Sequence, residues 1–587
     1  VGLVHRRLSI IDLSEAACQP MVSLDRQSVL AYNGEVYNFR ELRLELEKLG
    51  HRFRSASDTE VVLNALIEWG VGALNRFNGM FALAWWDVKQ QSMLLARDRY
   101  GIKPLYYAAG SDALAFGSEQ KAILAIPSFR RRLDHQALIE YFTFQNIFTD
   151  RTLLQGVRIL SAGHYIQFKP ALGLDAVKPV QYWDFDFREP DSPRDSREYE
   201  EELDRLFKAA VTRQMVSDVE IGCYLSGGMD SGSITAVASR DHPYLKTFTC
   251  GFDLRSASGL ELAFDEREKA EYMSYRFRTE HYEMVLKAGD MERVMSKIAW
   301  HLEEPRVGQC YPNFYAAKLA SKFVKVVLSG AGGDELFGGY PWRYYRAVVN
   351  DDFEHYVDKY YEFWQRLIPN TLLKDVFAPI SASFESVWTR DIFRDVFQHH
   401  ASELVRPEDY INHSLYFEAK TFLHGLLVVE DKLSMAHGLE SRVPFLDNDL
   451  VDFAMACPVN LKLNNLANVI RINENEPGDK ASIYYSRTKD GKKILRDVMH
   501  RYIPSEIATA EKQGFSAPDA SWFKGESIEF VKRSLLSGDP LIYHLLDRTV
   551  VKRLVEEHMA GKTNRRLLIW SLLNVEAWLQ QANCELV

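Results

Sequence analysis

Residues 225–232 (LSGGMDSG) form a glycine- and serine-rich turn with the residue types of an anion-binding loop. The short apolar run at 219–224 predicts a buried strand before the turn, and residues 233–239 predict the start of a helix after it. A turn between a strand and a helix presents backbone N–H groups and the positive end of the helix dipole to an anion. Asp230 places a carboxylate beside this anion site, where it would repel phosphate unless a cation lay between them. We therefore interpret Asp230 as a ligand of Mg²⁺ shared with phosphate oxygens.

The other small and polar residues of this loop suit the same ligand. Gly227 and Gly228 permit backbone conformations and close approaches that a Cβ would forbid, and Ser226 and Ser231 add hydroxyl donors. The loop lacks the lysine that follows the glycines of a Walker sequence. It resembles instead the pyrophosphate loop of ATP pyrophosphatases, which cleave ATP between its α and β phosphates and form acyl-adenylates. A tight turn with a capping serine is the alternative without a ligand.

A second glycine-rich loop at 329–340 (SGAGGDELFGGY) follows another apolar strand at 325–328. Two strands and a helix are predicted between the loops, at 246–251, 281–286 and 260–278. This alternation favours a parallel, doubly wound sheet whose ligands bind at the carboxyl ends of its strands. Both loops leave such ends, so Asp334 joins Asp230 as a predicted Mg²⁺ ligand. Glu335 is a third candidate, with capping of the following helix as its alternative role.

The N-terminal third of the chain has a different pattern. Short strands and helices are mixed there, with strands at 1–13, 79–86 and 92–98 and helices at 37–49 and 57–70. This pattern predicts α+β structure rich in antiparallel strands, in contrast to the α/β pattern that follows. The charged, proline-containing stretch 188–197 is the best boundary. We therefore predict two domains, 1–190 and 198–587, the second ending in a helical C-terminal part.

The composition is that of an ordinary globular protein, with 587 residues, 47% of them hydrophobic and 26% charged. A net charge of −10 argues against non-specific binding to nucleic acid. The six cysteines lack C-x-x-C spacing, which argues against a zinc site or a disulfide framework and favours the reducing cytoplasm. No apolar run reaches membrane-spanning length. The chain begins at Val1 inside an apolar stretch, which we interpret as the sign of a missing N-terminal segment.

Six N-terminal segments resemble, together and in order, the class-II glutamine amidotransferase domain of asparagine synthetases: HRRLSIIDLS, NGEVYNFREL, SDTEVVL, NGMFALAWWD, RDRYGIKPLYY and FGSEQKAIL. In that family an N-terminal cysteine attacks the glutamine amide, and its own α-amine is the base. The resemblance implies that Arg7 binds the α-carboxylate of glutamine, while Asp58 and Glu35 bind its α-ammonium. Asn33 and the Gly34 N–H would stabilise the oxyanion. A helix cap at Asp58 and a plain turn at Asn33-Gly34 are the alternatives.

The cysteine nucleophile of that family would precede Arg7 by several dozen residues, and this chain does not extend that far. Cys18 is no substitute, because an internal cysteine has no free α-amine, and we interpret it as structural. We favour a fragment of a longer chain over a member without glutaminase activity, because the glutamine-binding residues are retained.

The second half of the chain carries further motifs of the same family. The resemblance assigns ATP to residues of the two loops and the strand between them: Leu225, Ser226, Gly227, Gly228, Asp230, Ser231, Cys250, Ser329 and Gly330. Lys489 matches the family's lysine beside the adenylate, where a cation stabilises charge that develops during amide formation. Lys492 is a neighbouring basic candidate, and exposed lysines before a helix are the alternative. Ala331 stands where the family usually carries Glu or Asp beside the acyl-adenylate.

A helix predicted at 422–437 runs into another family motif, GLESRVPFLD at 438–447. Three charged residues of this helix suit a solvated face: Glu430, Asp431 and Lys432. The family match makes a functional role an equal alternative for Asp431 and Arg442. The Asn- and Glu-rich segment 462–485 shows no periodicity, which favours a surface loop or a substrate-specific lid.

The resemblance implies two half-reactions joined by an internal passage for ammonia. Glutamine would be hydrolysed in the N-terminal domain, and the second domain would join ATP to a carboxylate with Mg²⁺ offsetting the charge of the departing pyrophosphate. Ammonia would then displace AMP. We predict a cytoplasmic enzyme that makes asparagine from aspartate, with no nucleic-acid or membrane partner and with a homodimer as the family's assembly. A relative acting on another carboxylate (a saccharide or secondary metabolite), a cyclase and a non-catalytic member are the alternatives.

Overall fold

The computed structural model describes residues 1–111, 113–345, 348, 350–397, 404–466, 491–510 and 517–586. Within these residues, three sheets are formed by fourteen strands: β1 (Met21–Val22), β2 (Ser28–Val36), β3 (Gly79–Asp87), β4 (Ser92–Arg97), β5 (Tyr106–Ala109), β6 (Leu114–Gly117), β7 (Arg158–Ile159), β8 (His164–Phe168), β9 (Val180–Gln181), β10 (Ile221–Tyr224), β11 (Lys246–Phe252), β12 (Glu280–Leu286), β13 (Val326–Leu328) and β14 (Glu440–Arg442).

The N-terminal sheets are antiparallel throughout, as predicted. Six strands follow the order β1-β2-β3-β4-β8-β9, and three more form the sheet β6-β5-β7. The long pair β2 and β3 places Gly34 opposite Phe81. The two backbones approach so closely there that a Cβ on Gly34 would lie 2.1 Å from the carbonyl oxygen of Met80. Glycine is therefore required by strand spacing at this position.

The strand predicted over residues 1–13 is wrong. The structure has neither helix nor strand in this segment, although Ile10 and Ile11 are buried in the N-terminal core. The guanidinium of Arg7 donates to the carbonyl oxygens of Ile11 and Asp12 at 2.7 and 2.8 Å. These local hydrogen bonds fold the segment back on itself, so its apolar residues are buried without pairing to a neighbouring strand.

The five-stranded sheet that follows in the chain is parallel and doubly wound, as predicted. Its strands follow the order β12-β11-β10-β13-β14, and each neighbouring pair is parallel. The chain therefore builds outward in one direction from β10 to β12 and then in the other direction through β13 to β14. The reversal lies between β10 and β13, which is where open parallel sheets bind their ligands.

Helices cover both sheets and dominate the C-terminal third. Those of nine or more residues are α1 (Phe39–Lys48), α2 (Asp58–Trp69), α3 (His135–Phe144), α4 (Ser196–Gln214), α5 (Met229–Asp241), α6 (Arg267–Phe277), α7 (Ala288–Leu302), α8 (Tyr311–Ala320), α9 (Phe353–Trp364), α10 (Pro407–Glu418), α11 (His424–Met435), α12 (Asn448–Ala456), α13 (Arg548–Met559) and α14 (Arg566–Ala582). Shorter α-helices lie at Gln120–Leu124, Gly333–Phe337, Pro341–Tyr344, Asn370–Val376, Ser381–Phe384, Thr389–Asp395, Val459–Lys462, Lys493–Met499, Ser505–Ala508, Asp519–Trp522 and Ile528–Val531.

One predicted helix is shorter than expected. Of the helix predicted at 260–278, only the part in α6 (Arg267–Phe277) is α-helical. The chain before it forms a separate 3₁₀ turn at Gly259–Ala263. The side chain of Arg267 binds Asp265 at the start of α6, at 2.7 Å. The periodicity of the sequence did not mark this interruption.

The N-terminal and parallel sheets are packed against a common apolar core. Tyr37 and Met80 beside the antiparallel sheet belong to the same buried cluster as Leu225 and Leu328 of the parallel one. The connection through 188–195 has no regular structure, and α4 then begins at Ser196. The domain limits at 190 and 198 remain a prediction. Among the described helices, none combines the length and the apolar character needed to cross a membrane.

Candidate active site

The two glycine-rich loops meet at the reversal point of the parallel sheet. The first loop follows β10 and the second follows β13, and these strands are direct neighbours. Gly330 and Gly333 of the second loop pack on Asp230 of the first. A Cβ on Gly333 would lie 3.0 Å from Cγ of Asp230, and a Cβ on Gly330 would lie 3.1 Å from its Cβ. The structure therefore places both loops around one carboxylate.

The serines of the first loop hold its shape. The hydroxyls of Ser226 and Ser231 lie 2.8 Å apart, and Ser226 Oγ accepts the N–H of Gly228 at 3.1 Å. Ser231 Oγ accepts the N–H of Ser226 at 3.0 Å. Neither Gly227 nor Gly228 has a positive φ, so an unusual backbone conformation is not the reason for these glycines. At Gly227 the reason is space, because a Cβ would lie 3.0 Å from the side chain of Lys269.

Lys492 joins the two predicted metal ligands. Its Nζ lies 2.6 Å from Oδ2 of Asp230 and 2.5 Å from Oδ1 of Asp334, and its side chain is only 5% exposed. Lys492 has a φ of +60°, a conformation that is uncommon for a residue with a Cβ. Its N–H donates to the carbonyl oxygen of Phe337 at 3.1 Å. This contact with the second loop holds the backbone in a conformation that allows the ammonium to bind both carboxylates.

The chemistry of this pair fits Mg²⁺. Asp230 and Asp334 both contact one ammonium, so they are close enough to bind one cation together. Mg²⁺ prefers oxygen ligands and is usually bound by one or two carboxylates, with phosphate oxygens and water completing its shell. Asp334 is buried and Asp230 partly so. Among the described residues, no group of three or more His, Cys, Asp or Glu side chains forms a closed metal cage.

The remaining predicted ATP residues lie around the same edge. Leu225 is buried, and its N–H donates to Phe248 of β11 at 3.0 Å. The N–H of Ser329 donates to the carbonyl oxygen of Arg442 in β14 at 2.8 Å. Cys250 lies within β11, where burial raises the pKa of its thiol to about 12. This cysteine is therefore a neutral thiol at neutral pH, and its contact with ATP remains a prediction.

The solvated-face interpretation of α11 is wrong for Asp431 and Lys432. Asp431 is buried and pairs with Lys103 of the N-terminal region at 2.8 Å. Lys432 is also buried, and its Nζ lies 2.5 Å from Glu303. Burial by itself lowers the pKa of Lys432, but the charges of Glu303 and its other acidic neighbours, together with the hydrogen bond to Glu303, raise it overall. The sequence offered no sign of these partners beyond the position of Lys103 inside the family segment RDRYGIKPLYY.

Arg442 connects the parallel sheet to the predicted glutamine site. Its guanidinium is fully buried, and it lies 2.8 Å from Glu440 and 3.7 Å from Glu35. It also donates to the carbonyl oxygens of Gln214 and Val216, each at 2.7 Å. Arg442 therefore has a structural role, because it fixes β14 against the N-terminal region. Its predicted functional role remains a prediction.

The predicted glutamine-binding carboxylates lie together at the end of β2. The carboxylate of Asp58 accepts the hydroxyl of Tyr32 at 2.8 Å and the N–H of Val36 at 3.1 Å. The cap of α2 is Ser57, whose side chain accepts the N–H of the second following residue, so the capping alternative for Asp58 is wrong. Burial and the charge of Asp58 raise the pKa of Glu35 well above its ordinary value. Burial is also the main cause of the raised pKa of Asp58.

The other predicted glutamine residues flank this pair. Asn33 lies on β2, and its Nδ2 is 3.4 Å from the hydroxyl of Ser118. Arg7 contacts the backbone of Asp12, whose carboxylate accepts the N–H of Ala56 at 2.7 Å, two residues before α2. The glutamine-binding roles of these residues remain predictions. Cys18 is exposed and follows a 3₁₀ turn.

Two of the sequence predictions lie wholly or mostly outside the described residues. Lys489, the predicted lysine beside the adenylate, is one of them. The segment 462–485 is described only through residue 466. Its first residue, Lys462, is buried and ends the short helix Val459–Lys462. The interpretation of this segment as a loop or lid stays a prediction. Sequence reasoning named Lys492 only as a neighbour of Lys489, whereas the structure makes it the cation of the site.

An antiparallel glutaminase-type region packed on a doubly wound sheet with a carboxylate pair at its reversal point defines a class of ATP-dependent amidotransferases. Comparison with known families agrees. The asparagine synthase family matches residues 202–580, and the glutamine amidotransferase domain family matches residues 1–183. The chain belongs to the asparagine synthase family and is an asparagine-synthase-like ligase.

Individual relatives cover almost the whole chain. It is 30% identical to glutamine-hydrolyzing asparagine synthetase 1 of Bacillus subtilis, over 98% of this chain and 89% of that protein. It is 30% identical to asparagine synthetase 3 of the same organism, over 94% of this chain and 86% of that protein. A more distant relative is the amidase chyE of Penicillium rubens, 26% identical over 95% of this chain and 87% of that protein.

Proposed function

We propose that this protein makes asparagine by activating aspartate with ATP and transferring glutamine-derived ammonia to it. The observation that carries the proposal is the pair Asp230 and Asp334, which the two loops bring to one cation at the reversal point of the sheet. Adenylation needs a cation between carboxylates and a phosphate chain, near groups that attract an anion. The loop after β10 leads directly into the N-terminus of α5, whose helix dipole attracts an anion.

In this proposal the first loop and Ser329-Gly330 bind the nucleotide. Asp230 and Asp334 hold Mg²⁺, which when bound offsets the charge of the departing pyrophosphate. The ammonium of Lys492 already contacts the same two carboxylates, so it offsets one of their two negative charges and orients their oxygens before ligands bind. Lys489 would stabilise the charge that develops on the acyl-adenylate during amide formation.

The N-terminal region would supply ammonia from glutamine. Arg7 would bind the α-carboxylate and the pair Glu35 and Asp58 the α-ammonium, while Asn33 and the N–H of Gly34 would stabilise the oxyanion. Glu35 lies 3.7 Å from Arg442 of the parallel sheet. A change in the position of Glu35 on glutamine binding would therefore act on Arg442 in β14. We place the enzyme in the cytoplasm, acting on small molecules as a homodimer.

The test uses Mg-ATP and ammonium at alkaline pH, with and without aspartate, and follows pyrophosphate and asparagine. Release of both products only when aspartate is present is the expected result. Ammonium replaces glutamine, so the assay reads the synthetase half on its own. Pyrophosphate release that is the same with and without aspartate would show that aspartate is not the substrate that the enzyme activates.

A second candidate is amidation of another carboxylate. Ala331 favours it, because the family usually has an acidic residue at this position beside the acyl-adenylate. A relative that matches 95% of this chain is named an amidase, so similar chains are not all named asparagine synthetases. A screen of carboxylates for ATP–pyrophosphate exchange distinguishes the two, since each acceptor is scored by the same signal. Failure to bind Mg-ATP would instead support the non-catalytic alternative.

A further inference from the structure

The second glycine-rich loop contributes no carboxylate at Ala331, so the amidation step needs another proton acceptor. The acidic residues on the described part of this loop already have partners. Asp334 binds Lys492, as Asp230 does. Glu335 is buried and accepts the hydroxyl of Tyr340 at 3.1 Å. Asp334 is engaged by a cation and Glu335 is only 2% exposed, so an acidic residue outside the loop that keeps some exposed surface is the better-placed acceptor.

Glu430 of α11 lies against the first residue of that loop. Its carboxylate accepts the hydroxyl of Ser441 in β14 at 2.5 Å. The carbonyl oxygen of Arg442, the next residue of β14, accepts the N–H of Ser329 at 2.8 Å, and the side chain of Ser329 is near enough to lower the pKa of Glu430. Ser329 is directly followed by Gly330, which packs on Asp230. A chain of adjacent contacts thus connects Glu430 with the carboxylate pair at the reversal point of the sheet.

The surroundings of Glu430 differ from those of the next two residues on α11. Asp431 and Lys432 are buried in close ion pairs with Lys103 and Glu303, which fix α11 in place. Glu430 keeps part of its surface exposed and is held by the neutral hydroxyl of Ser441 rather than by an ion pair. Burial raises its pKa, and the nearby charge of Asp431 acts in the same direction. A carboxylate in such surroundings is a stronger base than an exposed one.

We propose that Glu430 is the proton acceptor of the amidation step and takes the role that an acidic residue at position 331 would otherwise have. This inference rests on the proposed ATP-dependent amide formation, whichever carboxylic acid is the substrate that is amidated. Ammonia attacks the acyl carbon, and a C–N bond forms. The nitrogen gives one proton to the Glu430 carboxylate, the bond from the acyl carbon to the AMP oxygen breaks, and amide and AMP leave. Glu430 then returns its proton to water.

Two variants test this assignment. Glu430→Gln keeps an oxygen that accepts from Ser441 but has almost no basicity, so the fold and the loop position should be retained. Ala331→Glu combined with Glu430→Gln returns a carboxylate to the loop itself. Each protein is measured for carboxylate-dependent ATP–pyrophosphate exchange, which reports adenylation, and for amide formation with ammonium, which needs the proton acceptor.

We expect Glu430→Gln to keep exchange within about twofold and to lose amide formation by about 100-fold, the usual contribution of a general base. The double variant should recover about tenfold or more of that loss. A proton acceptor predicts such a recovery, whereas a purely structural role for Glu430 does not.

Full amide formation by Glu430→Gln would overturn the assignment, as would equal losses of exchange and amide formation without recovery in the double variant. Wild-type protein without exchange for any carboxylate would be a different result, because it would overturn the proposed function and this inference with it.

Discussion

Replacing Lys492 by methionine would leave Asp230 and Asp334 facing each other without a cation. Methionine is chosen because its unbranched side chain fills most of the same volume without a charge. The lysine is buried and contacts both carboxylates, so water replaces its charge poorly. We expect the ligand-free variant to be less stable than the wild type, and we expect Mg²⁺ to restore much of the difference.

The distances give the size of the effect. Oδ2 of Asp230 and Oδ1 of Asp334 lie 2.6 and 2.5 Å from the same nitrogen. These two oxygens are therefore no more than about 5 Å apart, and Coulomb's law with an effective dielectric constant of about 20 gives a repulsion of about 3 kcal/mol. Breaking a buried ion pair by removing one partner costs about 3–5 kcal/mol. We therefore expect a loss of about 3 kcal/mol or more in the ligand-free state.

The assay is thermal unfolding of wild type and variant with no divalent ion, with millimolar MgCl₂ and with Mg-ATP. Lys493 provides a matched control on the next residue, because its ammonium is partly exposed and lies 3.4 Å from Asp497 across one helical turn. Such exposed pairs contribute at most about 1 kcal/mol, so Lys493→Met should unfold near the wild-type temperature. A Lys492→Met protein as stable as the control, with no added response to magnesium, would refute the shared-cation site.

Asp431→Asn would leave Lys103 buried without its partner and should lower the free energy of unfolding by about 3–5 kcal/mol, measured by urea denaturation; an unchanged midpoint would show that the pair contributes nothing. Glu140 has a pKa raised to about 7, chiefly by burial. Because the raised value belongs to the folded state, its stabilising effect is complete below about pH 4.5 and is lost as pH rises through 7. Relative to Glu140→Gln, the wild type should therefore lose about 3 kcal/mol over that interval, and parallel pH profiles would contradict this. Gly34→Ala should cost about 1–3 kcal/mol through overpacking between β2 and β3, whereas Gly72→Ala, with open space around its Cα, should cost far less in the same unfolding assay.

Local patterns predicted the parallel sheet well. The strands predicted at 246–251 and 281–286 correspond closely to β11 and β12, because such patterned runs decide strands by themselves. The strand over 1–13 failed for the opposite reason. Its apolar residues are indeed buried, but a positive φ of 57° at Asp12 and the hydrogen bonds of Arg7 turn the chain away from any neighbouring strand.

Charged residues on helices were predicted least well. Asp431 and Lys432 read as a solvated face, since most charges on a helix face water. Their partners Lys103 and Glu303 lie 328 and 129 residues away in the chain. Nothing local encodes a pairing across such distances, so only the packing of α11 against both regions shows that these residues are buried.

The sequence by itself determined the chemistry available to this protein: two glycine-rich loops after strands, an acidic residue in each, and the motifs of the asparagine synthase family. The spacing of glycine, serine and aspartate within each loop is local, so it can be recognised without knowing where the loop lies in the fold. The tertiary structure decided which groups meet. Strand order sets the two loops side by side, Lys492 reaches their carboxylates from the residue before a short later helix, and α11 brings Glu430 to Ser441 of β14. Contacts between such distant segments are fixed only when the whole core packs.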